Sequence, residues 1–176
     1  MGGDFYDFHP LSEGQLGLVV GDATGKGVPA ALVTSTTCGM LRLGAQSSSA
    51  PGQMLQRVNE TLFPYIPANM FVTCFYAILD PESGLLRYAN AGHDLPYLQH
   101  HDGDAEELRA RGMPLGLMPA MSYEVKEIVL QEGDSALLYT DGLVEAHDPQ
   151  REMFGFPRLQ TLVSEHGGEG CWRRHS

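Results

Sequence analysis

Apolar residues along this chain fall into short runs separated by turn sequences. Residues 16–20 (LGLVV) form an apolar run that ends in a Gly-Asp pair, which predicts a buried strand. Residues 71–79 (FVTCFYAIL) are apolar on both alternating faces, so we expect a strand that is covered on both sides. A turn at 80–84 joins this strand to a hairpin partner at 85–91. Three further strands are predicted, at 95–99, 123–130 and 134–140.

The spacing of apolar residues also predicts three helices. The first begins near Pro29. Four residues recur at intervals of three or four positions, which places them on one face of this helix: Leu32, Thr36, Gly39 and Leu43. The second helix follows residues 46–51 (QSSSAP) and ends before Pro64. Its inner stripe has three members: Leu55, Val58 and Leu62. The third helix covers 157–166, whereas residues 101–107 (HDGDAEE) are interpreted as an exposed loop.

The order of these elements is strand, helix, helix and then a run of strands. That order is typical of an α+β fold with mostly antiparallel sheets, because a doubly wound parallel fold would alternate strands and helices. From Ser164 onward the periodicity is lost, so residues 164–176 are expected to form an irregular tail.

Composition and charge narrow the possible partners and location. The chain has 176 residues, which suits one domain, and a net charge of −11, which argues against nucleic acid because its phosphates repel an acidic protein. The three cysteines (Cys38, Cys74 and Cys171) form no CxxC pair, so neither a disulfide framework nor a zinc site is predicted. A reducing, cytoplasmic location follows. No stretch reaches the roughly 20 apolar residues of a membrane span.

Three aspartates stand beside glycine at the ends of possible strands: Asp4 in GGD, Asp22 in GDATG and Asp141 in TDG. Glycine lets the backbone approach a ligand closely. Carboxylates from separate strands, with no Cys or His beside them, suit a hard cation such as Mg²⁺ or Mn²⁺. Asp-Gly pairs are also common in turns, so each aspartate alone is open to either interpretation.

Other polar residues offer weaker candidates. The segment 25–27 (Gly-Lys-Gly) is not a phosphate-binding loop, because the first glycine of that motif would fall at Val20 and its Ser or Thr is absent. We interpret Lys26 as a surface residue and His93 as a residue that packs a turn rather than a metal ligand. Two acids remain open between a supporting role and a surface role: Asp7 and Glu145.

Five segments carry a family resemblance, and they occur in a fixed order: MGGDFYDF, GDATGKGVPAAL, MFVTCFYAILDPESGLLRYANAGHDLPYL, GMPLGLMP and LLYTDGLVEAHDPQREMFGFPRL. Together they resemble the PPM-type (type 2C-like) serine/threonine phosphatases of bacteria, in the SpoIIE/RsbU branch. The resemblance implies a phosphatase domain over 1–163 with a four-layer α-β-β-α sandwich. It also implies a centre that holds two Mn²⁺ or Mg²⁺ ions.

The same resemblance implies a role for each aspartate. Asp22 would bridge both ions, and the backbone carbonyl of Ala23 would bind one of them. Asp141 would hold the other ion, and Asp4 would act through a metal-bound water. The implied reaction is hydrolysis of phosphoserine or phosphothreonine by metal-activated water, so Asp4, Asp22 and Asp141 are the candidate catalytic residues.

The sequence departs from the family pattern at its ends and at one internal position. The family's last metal aspartate belongs to an Asp-Asp pair on a terminal strand, whereas no aspartate follows Asp148 here. The usual strand before GGD is also missing. We therefore expect a domain truncated at both ends, with a tail at 164–176 that a frame or assembly error would explain. Thr24 stands where eukaryotic members carry a His proposed as general acid.

Two classes of function remain open. The first is a phosphatase that acts, by resemblance, on a phosphorylated anti-sigma-factor antagonist, with a sensor domain upstream in the full-length protein. The second is a catalytically inactive remnant, or pseudophosphatase, that only binds such a partner. The three aspartates favour the first class, and the missing terminal acid favours the second.

Overall fold

The computed structural model describes residues 2–47 and 50–166, the last two by their backbone only. The chain divides into two compact units. The first is built from Met1–His93 and Arg109–Val129, and the second from Asp94–Leu108 and Leu130–Ser176.

The described residues form strands and helices in mixed order. The strands are β1 (Phe5–Pro10), β2 (Leu16–Ala23), β3 (Val72–Leu79), β4 (Leu85–Ala91), β5 (Tyr97–Gln99), β6 (Ala105–Glu107), β7 (Lys126–Val129) and β8 (Ser135–Leu137). The helices are α1 (Val28–Ala45), α2 (Pro51–Leu62), α3 (Asp141–Val144) and α4 (Gly155–His166). A 3₁₀ turn covers Ser12–Gly14.

Both units contain an antiparallel sheet. The first unit has a five-stranded sheet in the order β1-β2-β3-β4-β7, and the second has a three-stranded sheet in the order β6-β5-β8. The α+β class with two antiparallel sheets is therefore confirmed. The stacking of four layers and the domain boundary at 163 stay predictions.

Strand β3 is covered on both sides and helix α2 packs through its inner stripe, as predicted. The inner stripe of α2 (Leu55, Val58 and Leu62) is buried. Both faces of β3 are buried as well, since Tyr76 is fully buried on one face and Phe75 is 1% exposed on the other. Phe75 stacks on Tyr88 of the neighbouring strand, with ring centroids 5.5 Å apart.

Helix α1 packs through a face other than the one on which Leu32, Thr36, Gly39 and Leu43 recur. Its buried residues are Ala30, Val33, Thr37, Leu41 and Ala45. Leu32 and Leu43 are 63% and 70% exposed, and Thr36 and Gly39 between them are exposed too. Arg42 is the one charged residue of this helix. Because the helix is nearly free of charge all round, its apolar spacing cannot distinguish the inner face from the outer one.

Strand β1 was not among the predicted elements, and its alternation is the reverse of the usual one. Asp7 and His9 point to the inner side, while Tyr6 and Phe8 are 77% and 59% exposed. A strand with aromatic residues outside and charged residues inside gives no conventional period-two signal. Its register places Phe5 opposite Gly21 of β2.

The second unit differs in detail from the sequence prediction. Strand β6 lies within the predicted loop at 101–107, because Tyr97 of β5 pairs with Glu107. The strand expected over 134–140 is limited to β8 and is followed by the short helix α3, which the sequence did not indicate. Similarly, the strand expected over 123–130 is limited to β7 of the first unit.

Helix α4 closes a small core in the second unit. This core contains Tyr97, Tyr139, Val144, Leu159 and Val163. The helix continues to His166, so it includes the first residues of the segment expected to be irregular. The rest of that segment, with Cys171, lies outside the described residues. Among the described residues, no helix is long and apolar enough to cross a membrane.

An ion-pair cluster in the second unit joins the turn after β5 to strand β6 and to the loop before β8. His100 contacts Glu106 at 3.1 Å through Nε2 and Asp134 at 3.3 Å through Nδ1. The hydrogen bond with Glu106 raises the pKa of His100 above its usual value, and Asp134 adds to this effect against the opposing influence of burial.

Candidate metal centre

Two of the predicted aspartates lie side by side in the first unit. Asp4 directly precedes β1 and is exposed, while Asp22 is half-buried near the end of β2. The pairing of Phe5 with Gly21 brings the two aspartates together, and each offers a carboxylate oxygen within 4.8 Å of the other. Two neighbouring carboxylates make an oxygen-rich site, which suits a hard divalent cation.

Gly3 fits between the residues that form this site. A Cβ atom at position 3 would lie 2.0 Å from the carbonyl oxygen of Ala23 and 2.7 Å from Oδ1 of Asp22. Any larger residue would push into both groups, so the glycine of GGD is required by space rather than by backbone conformation. The segment before β1 and the end of β2 can approach each other only because this side chain is missing.

Hydrogen bonds to the carbonyl oxygen of Gly3 hold this arrangement. The backbone N–H of Ala23 donates to it at 3.2 Å, and the hydroxyl of Thr34 on α1 donates to it at 2.9 Å. Thr34 therefore ties helix α1 directly to the residue that precedes Asp4. Sequence reasoning missed this contact because the two residues are 31 positions apart.

Thr24 closes the loop that follows β2. Its hydroxyl accepts a hydrogen bond from the backbone N–H of Phe71 at 2.9 Å and lies 3.1 Å from the carbonyl oxygen of the same residue. The Thr24 side chain thus holds the loop to the start of β3. Lys26 in the same loop is exposed, as predicted.

His93 packs in a turn, as predicted, and its ring also contacts Thr73 of β3. His93 is 6% exposed, and its Nδ1 lies 3.0 Å from the hydroxyl of Thr73. That hydroxyl lies 3.3 Å from the backbone carbonyl oxygen of Asp22. Thr73 is a residue that the sequence analysis did not single out.

Asp7 pairs with Arg42 and does not belong to the carboxylate pair of Asp4 and Asp22. The guanidinium of Arg42 on α1 donates to Asp7, and His9 Nε2 lies 3.1 Å from the same carboxylate. The bond from Arg42 lowers the pKa of Asp7 to about 2, against the opposing effect of burial, and His9 contributes in the same direction. Asp7 therefore joins β1 to α1.

Asp141 belongs to the second unit. It is the first residue of α3, its side chain is exposed, and its backbone carbonyl accepts a hydrogen bond from the N–H of Glu145 at 2.8 Å. Glu145 is exposed as well. The TDG sequence thus forms the start of a helical turn that presents its carboxylate to solvent.

The donors of the first unit fit a divalent cation. The carboxylates of Asp4 and Asp22 and the neighbouring carbonyl of Ala23 are all oxygen donors, which Mg²⁺ and Mn²⁺ prefer. The close approach at Gly3 keeps the Ala23 carbonyl beside the Asp22 carboxylate. This geometry makes the end of β2 a suitable place for metal binding.

Comparison with known proteins gives one family. The model of Stage II sporulation protein E (SpoIIE) matches residues 12–172. The phosphoserine phosphatase RsbU from Bacillus subtilis (strain 168) is 32% identical over 94% of this chain and 49% of RsbU. The protein IcfG from Synechocystis sp. is 27% identical over 92% of this chain and 30% of IcfG. The chain thus spans about half or less of the length of these curated relatives.

Solved structures share the fold. The RsbU and RsbW domains of a Mycobacterium tuberculosis protein are 34% identical to the chain, with a TM-score of 0.74 over 84% of this chain and 41% of that one. The SiaA-PP2C domain of Pseudomonas aeruginosa is 24% identical, with a TM-score of 0.79 over 96% of this chain and 68% of that one. At that lower identity the similarity shows the fold alone.

Proposed function

The chain belongs to the Stage II sporulation protein E (SpoIIE) family, and from this membership we propose that it is a metal-dependent protein serine/threonine phosphatase. The observation that carries this function is the pairing of Asp4 and Asp22 around Gly3, next to the Ala23 carbonyl. Two curated relatives, RsbU and RsbP of Bacillus subtilis, are named phosphoserine phosphatases, which supports the same reaction.

Each proposed residue has a separate task in this function. Asp22 would hold both Mn²⁺ or Mg²⁺ ions, the Ala23 carbonyl and Asp141 would each hold one of them, and Asp4 would contribute through water. When bound, the ions supply an activated water and neutralise the charge of the phosphoryl group. Asp141 takes part from the start of α3, where its exposed carboxylate is available for binding.

The proposed substrate is a phosphoserine or phosphothreonine of a signalling protein, such as an anti-sigma-factor antagonist in the bacterial cytoplasm. A phosphoprotein is anionic, and this chain carries a net charge of −11. Bound divalent cations reverse the local sign at the aspartates and so allow the phosphate to approach.

Hydrolysis of p-nitrophenyl phosphate and of a phosphoserine peptide in Mn²⁺ tests this function. We expect turnover that EDTA removes and that Asp22→Asn and Asp141→Asn abolish. Asp102→Asn makes the same chemical change in an exposed turn, where Asn can still accept the bond from the Asp104 N–H, and it should retain full activity. Unchanged turnover in both site variants would contradict the assignment of Asp22 and Asp141 as metal ligands. Binding of the peptide without turnover by the wild type would favour the pseudophosphatase alternative.

A further inference from the structure

The peptide group between Asp22 and Ala23 connects two of the proposed metal donors. The Asp22 carboxylate lies on one side of it along the chain, and the Ala23 carbonyl on the other. Its N–H, which belongs to Ala23, donates to the carbonyl oxygen of Gly3 at 3.2 Å. Its oxygen, which belongs to Asp22, lies 3.3 Å from the hydroxyl of Thr73. Because a peptide group is planar and includes both Cα atoms, holding both ends fixes its rotation and with it the Cα positions from which both donors extend.

The hydroxyl of Thr73 has one proton for two neighbours. The carbonyl oxygen of Asp22 can only accept a hydrogen bond, so Thr73 must donate its proton there. Thr73 can then only accept from His93, whose Nδ1 lies 3.0 Å away. This arrangement requires the tautomer of His93 that carries its proton on Nδ1.

His93 is itself held on both sides of its backbone. The side chain of Asn90 accepts a bond from the His93 N–H at 2.7 Å and donates to the His93 carbonyl at 2.9 Å. Asn90 and His93 are 2% and 6% exposed. Gly92 between them has a φ of +68°, and a Cβ there would lie 2.9 Å from the ring of Pro114, so the turn has little freedom to shift.

We propose that His93 and Thr73 are positioning residues for the candidate metal centre. Hydrogen bonds run from the turn after β4 through His93 and Thr73 of β3 to the Asp22 carbonyl of β2. Their role is to fix the Asp22–Ala23 peptide in the orientation that binds metal. This role rests on the proposed function, because it assumes that Asp22 and Ala23 are metal donors.

A matched pair of variants at position 73 separates the hydroxyl from the shape of the side chain. Thr73→Ser keeps the hydroxyl, and Thr73→Val keeps the branched shape but cannot donate to Asp22. Loss of a group that orients a metal ligand reduces metal affinity by roughly 10- to 100-fold. We expect a loss of that size for Mn²⁺ in Thr73→Val by titration calorimetry, and an affinity within about threefold of the wild type in Thr73→Ser.

The His93 tautomer gives a second readout that needs neither metal nor variant. In the metal-free protein, at a pH where the ring is neutral, ¹⁵N NMR should show the proton on Nδ1. A proton on Nε2, or equal Mn²⁺ affinities of the Val and Ser variants, would overturn the positioning role. Suppose that the wild type binds Mn²⁺ and is active, but the proton lies on Nε2 and the Val and Ser variants bind Mn²⁺ equally well. Then only the positioning role is wrong, and the proposed function still stands. A wild type that binds no Mn²⁺ contradicts the proposed function as well.

Discussion

Replacing Gly3 by alanine introduces a single methyl group at the point where β1 and β2 meet. The new Cβ would lie 2.0 Å from the carbonyl oxygen of Ala23, 2.7 Å from its nitrogen and 2.7 Å from Oδ1 of Asp22. Two of these atoms belong to the backbone, so a change of rotamer cannot relieve the contact. The Ala23 carbonyl or the chain before Asp4 must move instead.

The size of the movement follows from the distances. Real Cβ atoms essentially never lie closer than 3.0 Å to such an atom, so the contact at 2.0 Å requires a shift of about 1 Å. Metal–oxygen bonds tolerate deviations of only about 0.2 Å. The Gly3→Ala variant should therefore lose the Ala23 donor. We expect at least a tenfold loss of Mn²⁺ affinity, about 1.4 kcal/mol, together with a stability loss of about 1–3 kcal/mol from overpacking.

The adjacent Gly2 provides the control. A Cβ at Gly2 has its nearest neighbours, the nitrogen and Oδ2 of Asp4, at 3.8 Å, which is an ordinary contact. Gly2→Ala makes the same change to the unfolded chain, so the difference between the two variants isolates the clash at the site. Calorimetric titration with Mn²⁺ measures the affinities, and urea unfolding without metal measures the stabilities. Equal Mn²⁺ affinities in the two variants would refute the assigned geometry.

Three further predictions concern stability and its dependence on pH. Leu41→Ala in the buried face of α1 should cost about 2–5 kcal/mol in urea unfolding, but Leu32→Ala in the exposed face less than about 0.5 kcal/mol, and equal costs would contradict the face assignment. Asp7, whose pKa is lowered to about 2 by Arg42, stabilises the fold above its unfolded value of 3.8. The destabilisation caused by Asp7→Asn should therefore be present at neutral pH and disappear as the pH falls toward 2, and a cost independent of pH would contradict it. His100 has a raised pKa, so its stabilisation of the fold is present below its unfolded-state pKa of 6.5 and is lost as the pH rises through the raised folded-state pKa. The loss of unfolding free energy caused by His100→Gln should therefore become smaller as the pH rises. A loss that becomes larger with rising pH would contradict this prediction.

The central strands and the second helix could be predicted from the sequence because their apolar pattern fits only one type of element and one buried face or pair of faces. Residues 71–79 are apolar on both faces, and β3 is buried on both. The stripe that contains Leu55 and Val58 has polar residues around it, and it packs inward. The adjacency of Asp4 and Asp22 was expected from the family resemblance. The spacing of these residues alone left open whether they bind metal or form turns.

Other features could not be predicted, for physical reasons that differ. The buried face of α1 could not be identified from the sequence because Leu32 and Leu41 are both apolar, and only tertiary packing distinguishes them. Strand β1 could not be recognised because its alternation is inverted: its charged residue Asp7 points inward, where it bonds to Arg42 of helix α1. The support of Asp22 by Thr73 joins residues 51 positions apart, so it depends on strand register, which no local pattern encodes.

The direct measurement of the metal centre is an anomalous difference map from crystals grown with Mn²⁺. The central claim is that Asp22, with Asp4, Ala23 and Asp141, holds the cations that carry out the hydrolysis. We predict two manganese peaks, both within coordination distance of Asp22, at about 2.0–2.6 Å from its oxygens. A map with manganese bound elsewhere on the protein, and no peak at Asp22, would contradict the claim.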